Sequence, residues 1–380
     1  MTQPESPTPL PEWALGPFPP PKRILDDHQD VSFICPVSGQ RLAWAAKDLF
    51  NPGAVVRDGK VCLLVRAEDR VGRYAGTSRL GLATSDDGLN FELQPEPVLF
   101  PADDKWQAWE WPGGCEDPRV VEAPAGGYVC TYTAFDGKVG ALFVATSPDL
   151  RAWTKHGPAF AGSPYVRRPS KAGAILTELK DGRLVAARHD GLFWMWWGEG
   201  LIYGATSQDL IRWRPVEANM SPEAYLTWNP RPDALAGGAP AGGWQVDRVP
   251  GVMGLRSLAA PRRGRFDSML IEPGPPAVKT KAGIVLLYNG ANHPAHGEPG
   301  APAFAYQPGQ LLFDPLDPSA VIARLQAPFL RIDPAEAQGQ VGNVCFVEGL
   351  VAFKGEWRLY VGLADSRLGC TTAPIRTSVL

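Results

Sequence analysis

The sequence predicts an all-β chain, specifically a five-bladed β-propeller with a central funnel, and three observations lead there. A nine-residue pattern recurs as Ala83-Thr84-Ser85-Asp86-Asp87-Gly88-Leu89-Asn90-Phe91, Ala145-Thr146-Ser147-Pro148-Asp149-Leu150-Arg151-Ala152-Trp153 and Ala205-Thr206-Ser207-Gln208-Asp209-Leu210-Ile211-Arg212-Trp213. A short apolar strand stands ahead of each copy, at 61–66, 128–132 and 192–196, and two more of the same kind follow at 284–288 and 357–361. The resulting units are roughly sixty to ninety residues long, built of short strands with no helical periodicity between them, which favours a propeller over a sandwich.

Taken in chain order, residues 1–30 read as a proline-rich N-terminal extension and 31–380 as a single propeller domain. The opening residues have no apolar core behind a basic start, so they do not read as a secretory signal, and no apolar run is long enough to cross a bilayer. A cytoplasmic location is expected. In each unit a strand pair closes with a turn and an aromatic residue, whose role is packing between blades. The spans 214–265 and 290–340 fit the repeat least well, and 234–243 is a loop by its glycine, alanine and proline content. The six cysteines are scattered with no Cys-x-x-Cys pair, which predicts free buried thiols. A chain of 380 residues, 44% hydrophobic, can bury a full core, and a formal net charge of −3 argues against nucleic-acid or anionic-membrane partners.

Residues 111–119 read Trp-Pro-Gly-Gly-Cys-Glu-Asp-Pro-Arg. Two adjacent acids are held between Gly-Gly and Pro-Arg, and proline pushes the residue before it towards extended geometry. A carboxyl pinned in this way is either a structural turn residue or a candidate acid, with Glu116 the alternative to Asp117. An extended backbone would put Arg119 on the same side as Asp117, lowering its pKa and working against proton donation.

A propeller funnel gathers strand ends that are far apart in sequence. Polar residues at such ends are Asn51, Arg66, Arg79, Asp117, Lys171, Asn289 and Asp365. Several cations with few acids suit an anion plus a sugar, although Arg66 and Arg79 could instead pair with Glu68 and Asp69 on a solvated edge. His293 and His296 lie in a loop near this set and lack zinc-ligand spacing.

At these residues the chain resembles glycoside hydrolase family 130, the inverting β-mannoside phosphorylases. The matching segments are Phe50-Asn51-Pro52, Arg66-Ala67-Glu68-Asp69, 77–83, 113–119, Phe266-Asp267-Ser268, 272–276, Tyr288-Asn289-Gly290, 339–344 and Ala364-Asp365-Ser366-Arg367, in order along nearly the whole chain. Within the family the chain looks most like the branch acting on 4-O-β-D-mannosyl-D-glucose. The resemblance implies cleavage by inorganic phosphate as co-substrate, without metal or other cofactor, to α-D-mannose 1-phosphate and D-glucose. Asp117 would be the general acid, passing its proton through the mannose 3-hydroxyl. Asn51, Arg66 and Asp365 would hold the mannose, with Glu272 also at the substrate. Arg79, Lys171 and Asn289 would receive phosphate, although other branches have an Arg-Asn pair where this chain has Lys171-Ala172 and a histidine where it has Asn289.

An inverting hydrolase needs a second carboxylate to activate water, whereas phosphate is already a nucleophile. Related acceptors such as mannooligosaccharide or mannosyl-N-acetylglucosamine, and a homo-oligomeric state, fit as well. A β-mannosidase of the same family would show a water-activating carboxylate facing Asp117, with Glu272 the residue to examine. A non-catalytic carbohydrate-binding propeller would bury Asp117 in a salt bridge away from the funnel.

Overall fold

A computed structural model describes residues 9–26, 28–70, 76–218 and 254–380. The 234–243 loop and most of the 214–265 span lie outside them. The chain is all-β, and the described residues include one helical turn, Gln107–Glu110, and one 3-10 turn, Pro334–Glu336. No helix among them is long and apolar enough to cross a membrane.

Five antiparallel meanders follow one another. The first comprises Asp48–Arg57, Lys60–Glu68, Ser78–Ser85 and Glu92–Leu99. The second comprises Gly114–Glu122, Tyr128–Phe135, Gly140–Ser147 and Thr154–Pro158. In the third, Gly173–Lys180, Leu192–Trp197 and Ile202–Ser207 pair in turn, and Arg214–Pro215 and Ser257–Ala259 share the outer edge. In the fourth, Leu270–Pro273 and Ala277–Thr280 share the inner edge of Gly283–Ala291, followed by Tyr306–Phe313 and Val321–Arg324. The fifth runs Cys345–Phe353, Glu356–Leu363 and Arg367–Pro374, with Lys22–Leu25 as its outer strand. All five strands expected from the repeat are the second strand of their sheet.

The repeated pattern works as a turn device. Ser85, Ser147 and Ser207 accept from the backbone N–H of Asp87, Asp149 and Asp209 at 3.3, 3.2 and 3.2 Å. Each aspartate then accepts two later N–H groups at 2.8–2.9 Å, the local side-chain bonding that makes Asp and Ser turn formers. The next residue is left-handed in every copy, with φ of 73° at Gly88 and 66° at Leu150 and Leu210. Trp153 and Trp213 donate their indole N–H to the carbonyls of those leucines.

The core is divided into five clusters, each between neighbouring sheets. First and second sheets share Leu64, Leu82, Cys130 and Phe143; second and third share Val144, Ile175 and Met195. Third and fourth share Trp196, Ile284 and Leu286, and fourth and fifth share Val285, Leu287 and Trp357. The last cluster joins the fifth back to the first through Val65, Tyr360 and Phe353, with Phe91 packed edge-on to Tyr360 at 5.7 Å. The closing aromatics therefore pack between sheets. All six cysteines are free and buried.

The stretch 1–30, read from sequence as an extension, is built into the body from the point where the description begins. Leu15 and Phe18 join the core of the last two sheets. Leu15 also exchanges backbone bonds with the Gln310 side chain at 2.9 and 2.8 Å. The first strand of the chain thus completes the last sheet, leaving fewer open edges.

Innermost strands approach one another closely where glycine allows it. A Cβ on Gly53 would stand 2.5 Å from the Pro118 carbonyl oxygen, and one on Gly349 would stand 2.5 Å from that of Pro52. Overpacking of this kind costs about 1–3 kcal/mol. Gly53→Ala is expected to lower unfolding free energy by that amount in a urea titration and to reduce activity by moving the strand that carries Asp117; a midpoint equal to the parent's would contradict the close approach.

Candidate active site

The innermost strands of three sheets are each interrupted at the same level. Register shifts fall between Phe50 and Pro52, between Glu116 and Arg119, and between Val347 and Gly349. Such bulges re-aim side chains, and here they turn out Asn51, Asp117 and Glu348. Asn51, Asp117 and Asp365 all have left-handed backbones, with φ of 47°, 45° and 50°. Asp117 is therefore not extended as the following proline suggests. The bulge and two side-chain bonds override the local preference, a strain that occurs at functional sites when the surroundings enforce it.

Those two bonds come from the first sheet. Asn51 Nδ2 and Arg66 Nη1 donate to Asp117 Oδ1 at 2.9 and 2.8 Å. Arg66 Nη2 reaches Glu116 Oε1 at 2.9 Å and Glu68 Oε1 at 3.0 Å, its Nε donates to Ser78 Oγ, and its guanidinium lies 4.6 Å from the Phe50 ring centre. Arg66 does pair with Glu68, but buried and at the centre rather than on a solvated edge. The second oxygen of Glu68 accepts from Lys47 Nζ at 2.7 Å.

The carboxyl groups differ in charge state. Burial works to raise the Asp117 pKa, but Arg66, then Lys171 and Arg119, outweigh it and hold the group down to about 2. Neighbouring Glu116 goes the other way, raised by burial despite Arg66. Glu272 is pushed up to about 8 by burial and then by the charge of Glu199, against Arg119 and Lys171. One of its oxygens is buried with no hydrogen-bond partner. Asp365 is lifted to about 6, mainly by burial. Lys171 stays charged because Glu116, Asp117 and Glu199 outweigh its burial. The Tyr306 hydroxyl is raised by burial and then by the charges of Glu272, Glu199, Asp365 and Asp117.

Arg119 underlies this group. It is 1% exposed and donates to the carbonyls of Asp117 and Lys171, both at 2.8 Å, of Pro273 at 3.2 Å and of Gly274 at 3.3 Å. It also reaches Glu348 Oε1 at 3.3 Å. One side chain on the second sheet is thereby tied to the third, fourth and fifth. Arg119 is turned below Asp117 rather than beside its carboxyl, yet its charge still contributes to the low pKa.

Asn51, Arg66, Asp117, Lys171, Glu272 and Asp365 are brought together; Arg79 and Asn289 are not. Arg79 is 1% exposed, paired with Asp69 at 2.5 Å and set over the Phe33 ring inside the first sheet. Asn289 spends its amide on Val347, donating to its carbonyl at 3.0 Å and accepting its N–H at 2.8 Å. Both are committed to structure; sequence position does not tell a strand residue that faces the centre from one turned into the surrounding packing. His293 Nδ1 accepts from the N–H groups of Ala295 and His296, shaping its own loop. Among the described residues no group of three histidine, cysteine or acidic side chains is arranged to hold a metal ion.

Glu199, Tyr306 and Glu348 are missing from the sequence-based set. Glu199 lies between Gly198 and Gly200, which have φ of 117° and 96°. Only its flanking glycines are visible in the sequence, a weaker mark than the paired acids and proline of 113–119.

Residues 39–236 match the family model described as beta-1,4-mannooligosaccharide phosphorylase. A beta-1,2-mannobiose phosphorylase of Thermoanaerobacter sp. (strain X514) is 27% identical over 339 residues, covering 86% of this chain and 90% of that protein. Among solved structures, a putative glycoside hydrolase from Bacteroides ovatus is 40% identical with a TM-score of 0.82, over 96% of this chain and 98% of its own. Another is described by the statement that the GH130 family of mannoside phosphorylases contains glycoside hydrolases that target beta-1,2 mannosidic linkages in Candida mannan. It is 39% identical with a TM-score of 0.83, over 97% and 99% of the two chains.

Removing one partner of a buried charged network costs about 3–5 kcal/mol, and lysine cannot reproduce a planar guanidinium's several bonds. Arg119→Lys is expected to destabilise the protein by that order in chemical denaturation. A loss below about 1 kcal/mol, the range of an ordinary single hydrogen bond, would show that the guanidinium is not the tie between sheets.

Proposed function

We propose, from the premise that the chain belongs to glycoside hydrolase family 130, that it cleaves β-mannosidic bonds with inversion, using Asp117 and Glu272 as the working carboxyl pair and water as the acceptor. The five meanders and their cyclic cores support the reading of the fold as a five-bladed propeller, with the site at its axis. The observation that carries the choice of water is Glu272. It is a buried carboxyl with an unpartnered oxygen, and it feels the charge of Asp117, as a water-activating group facing the acid would. Two of the three residues expected to receive phosphate are engaged elsewhere, and Asp117 and Glu199 already offset the charge of Lys171, the third.

The pair holds one proton. In the empty site it rests on Glu272, and Asp117 is the anion. For Asp117 to act as the acid, that proton passes to it when substrate draws Asn51 and Arg66 towards the sugar. Asp117 then protonates the leaving oxygen, by way of the mannose 3-hydroxyl as the family resemblance implies, and Glu272 takes a proton from the attacking water. The bond from C1 to the leaving oxygen breaks, the bond from C1 to water forms on the opposite face, and the pair ends with one proton as it began. Asp117 lies in a salt bridge, yet beside the other candidate groups, which favours catalysis over a purely binding propeller.

The β-1,2 linkage is the preferred substrate in this reading, supported by the mannobiose phosphorylase and the solved structure of similar sequence. Phosphorolysis of a β-mannoside, including 4-O-β-D-mannosyl-D-glucose, is the second reading. Lys171 favours it as a charged, half-buried cation among the site acids, as does the family model itself.

Incubation with β-1,2-mannobiose and with 4-O-β-mannosyl-glucose, each with and without inorganic phosphate, separates the two. Free mannose from the β-1,2 disaccharide in both tubes is expected; mannose 1-phosphate appearing only with phosphate would overturn hydrolysis in favour of the second reading. Asp117→Asn and Glu272→Gln should each lower kcat/KM by about 10²–10⁴-fold, the range for a general acid or base. Unchanged turnover in either removes it from the pair.

The pH dependence follows from the shared proton and does not depend on which carboxyl carries it. Glu272 is raised, so the proton is present below about 8 and lost above it. The expected kcat/KM profile is level near neutrality and falls as pH rises through about 8. A rise across that range would mean that the doubly ionised pair is the active one.

A further inference from the structure

Glu348 has no part in the chemistry so far. It sits on the bulge of the fifth sheet's innermost strand between Val347 and Gly349 and is 0% exposed. One carboxyl oxygen accepts from Arg119 Nη1 at 3.3 Å, and the other has no hydrogen-bond partner. An ionised carboxylate opposite a guanidinium makes contacts of about 2.7–2.9 Å and often uses both oxygens. The Glu348 contact is long and single, whereas Arg119 finds its two shortest bonds, both 2.8 Å, at the neutral carbonyls of Asp117 and Lys171.

The groups whose charge bears on Glu348 are Arg119 and Asp117 on the second sheet, Arg66 on the first and Glu272 on the fourth. The Cys130 thiol also interacts with it. Burial raises the Glu348 carboxyl well above the usual carboxylate range. Asp117 and Glu272 add to that, against Arg119 and Arg66.

We propose that Glu348 is a positioning residue, a neutral carboxyl that seats Arg119 and, through Arg119, the segments that carry Asp117, Lys171 and Glu272. Its neutrality matters as much as its place. An anion here would draw off the positive charge that Arg119 directs at Asp117 and would repel both working carboxyls. The inference rests on the reading of Asp117 and Glu272 as that pair.

Two measurements test it, one independent of activity. Infrared difference spectra of the free protein at neutral pH, parent against Glu348→Gln, should show one protonated-carboxyl carbonyl band lost in the variant. In kinetics with β-1,2-mannobiose, Glu348→Gln should retain kcat within about threefold and keep the alkaline limb in place. Glu348→Leu should lose kcat by about 10²-fold, the order expected from misplaced catalytic groups, with KM little changed and the alkaline limb displaced. No difference in the carbonyl region, or a Gln variant as impaired as Leu, would overturn the neutral carboxyl. Full activity in the Leu variant would overturn the positioning role. The infrared and pH comparison needs only Glu348→Gln, so it decides the matter even where Glu348→Leu does not fold. If the parent cleaves no β-mannoside, the functional reading fails, while the infrared result still decides the state of Glu348.

Discussion

A single buried guanidinium sets the geometry on which everything else depends. Arg119 offers five N–H donors in a fixed plane, and they are used on backbone carbonyls of the second, third and fourth sheets and on Glu348 of the fifth. The carbonyl oxygens that meet at Arg119 would otherwise lack these donors, and a buried cation without acceptors would be costly. Each solves the other's problem. The contact with the Phe346 ring, 5.5 Å from the guanidinium carbon, completes the seat. Because Arg119 is two residues from Asp117, the tie that holds the sheets together also fixes the carboxyl at the centre.

The charge balance of the centre follows from that arrangement. Arg66 and Arg119 are enclosed by acids and carbonyls, which leaves Lys171 as the half-buried cation whose charge the carboxylates share. Around it stand Glu116, Asp117, Glu199, Glu272 and Asp365. A site of this composition holds protons, as the raised pKa values of Glu116, Glu272 and Asp365 show. Pairs of carboxyls pushed apart in pKa mark acid and base assignments in general; with Asp117 near 2 and Glu272 near 8 in the free protein, the roles proposed above require the shared proton to move to Asp117 when substrate binds.

The all-β class and the segments that meet around Asp117 were legible in the sequence because both depend on local chemistry. The Ser-x-Asp turn writes its hydrogen bonds into three copies of one pattern. Phe50-Asn51-Pro52 and Glu116-Asp117-Pro118-Arg119 stand out through their prolines and polar residues, but the extended geometry that proline favours pointed away from the left-handed bulge at Asp117. Orientation was less accessible. Arg79 and Asn289 look from sequence just like Arg66 and Lys171, but Arg79 turns into its own sheet, where Asp69 claims it, and Asn289 faces the fifth sheet, where the Val347 backbone claims it. Glu348 and Glu199 went unread for the opposite reason. Each is a lone acid in an apolar or aromatic stretch, and only the assembled sheets bring Glu348 to Arg119 and Glu199 near Lys171. The first thirty residues looked separate because proline content conceals that Leu15 and Phe18 are core residues.

The central claim is that water, activated beside Glu272, takes the mannosyl group with inversion. Its most direct test is a proton NMR time course of β-1,2-mannobiose cleavage in water enriched in oxygen-18 with phosphate present, followed by mass analysis of the products. The account predicts that α-mannose forms first and that the label sits on its anomeric oxygen. Unlabelled α-mannose 1-phosphate as the first product would contradict it.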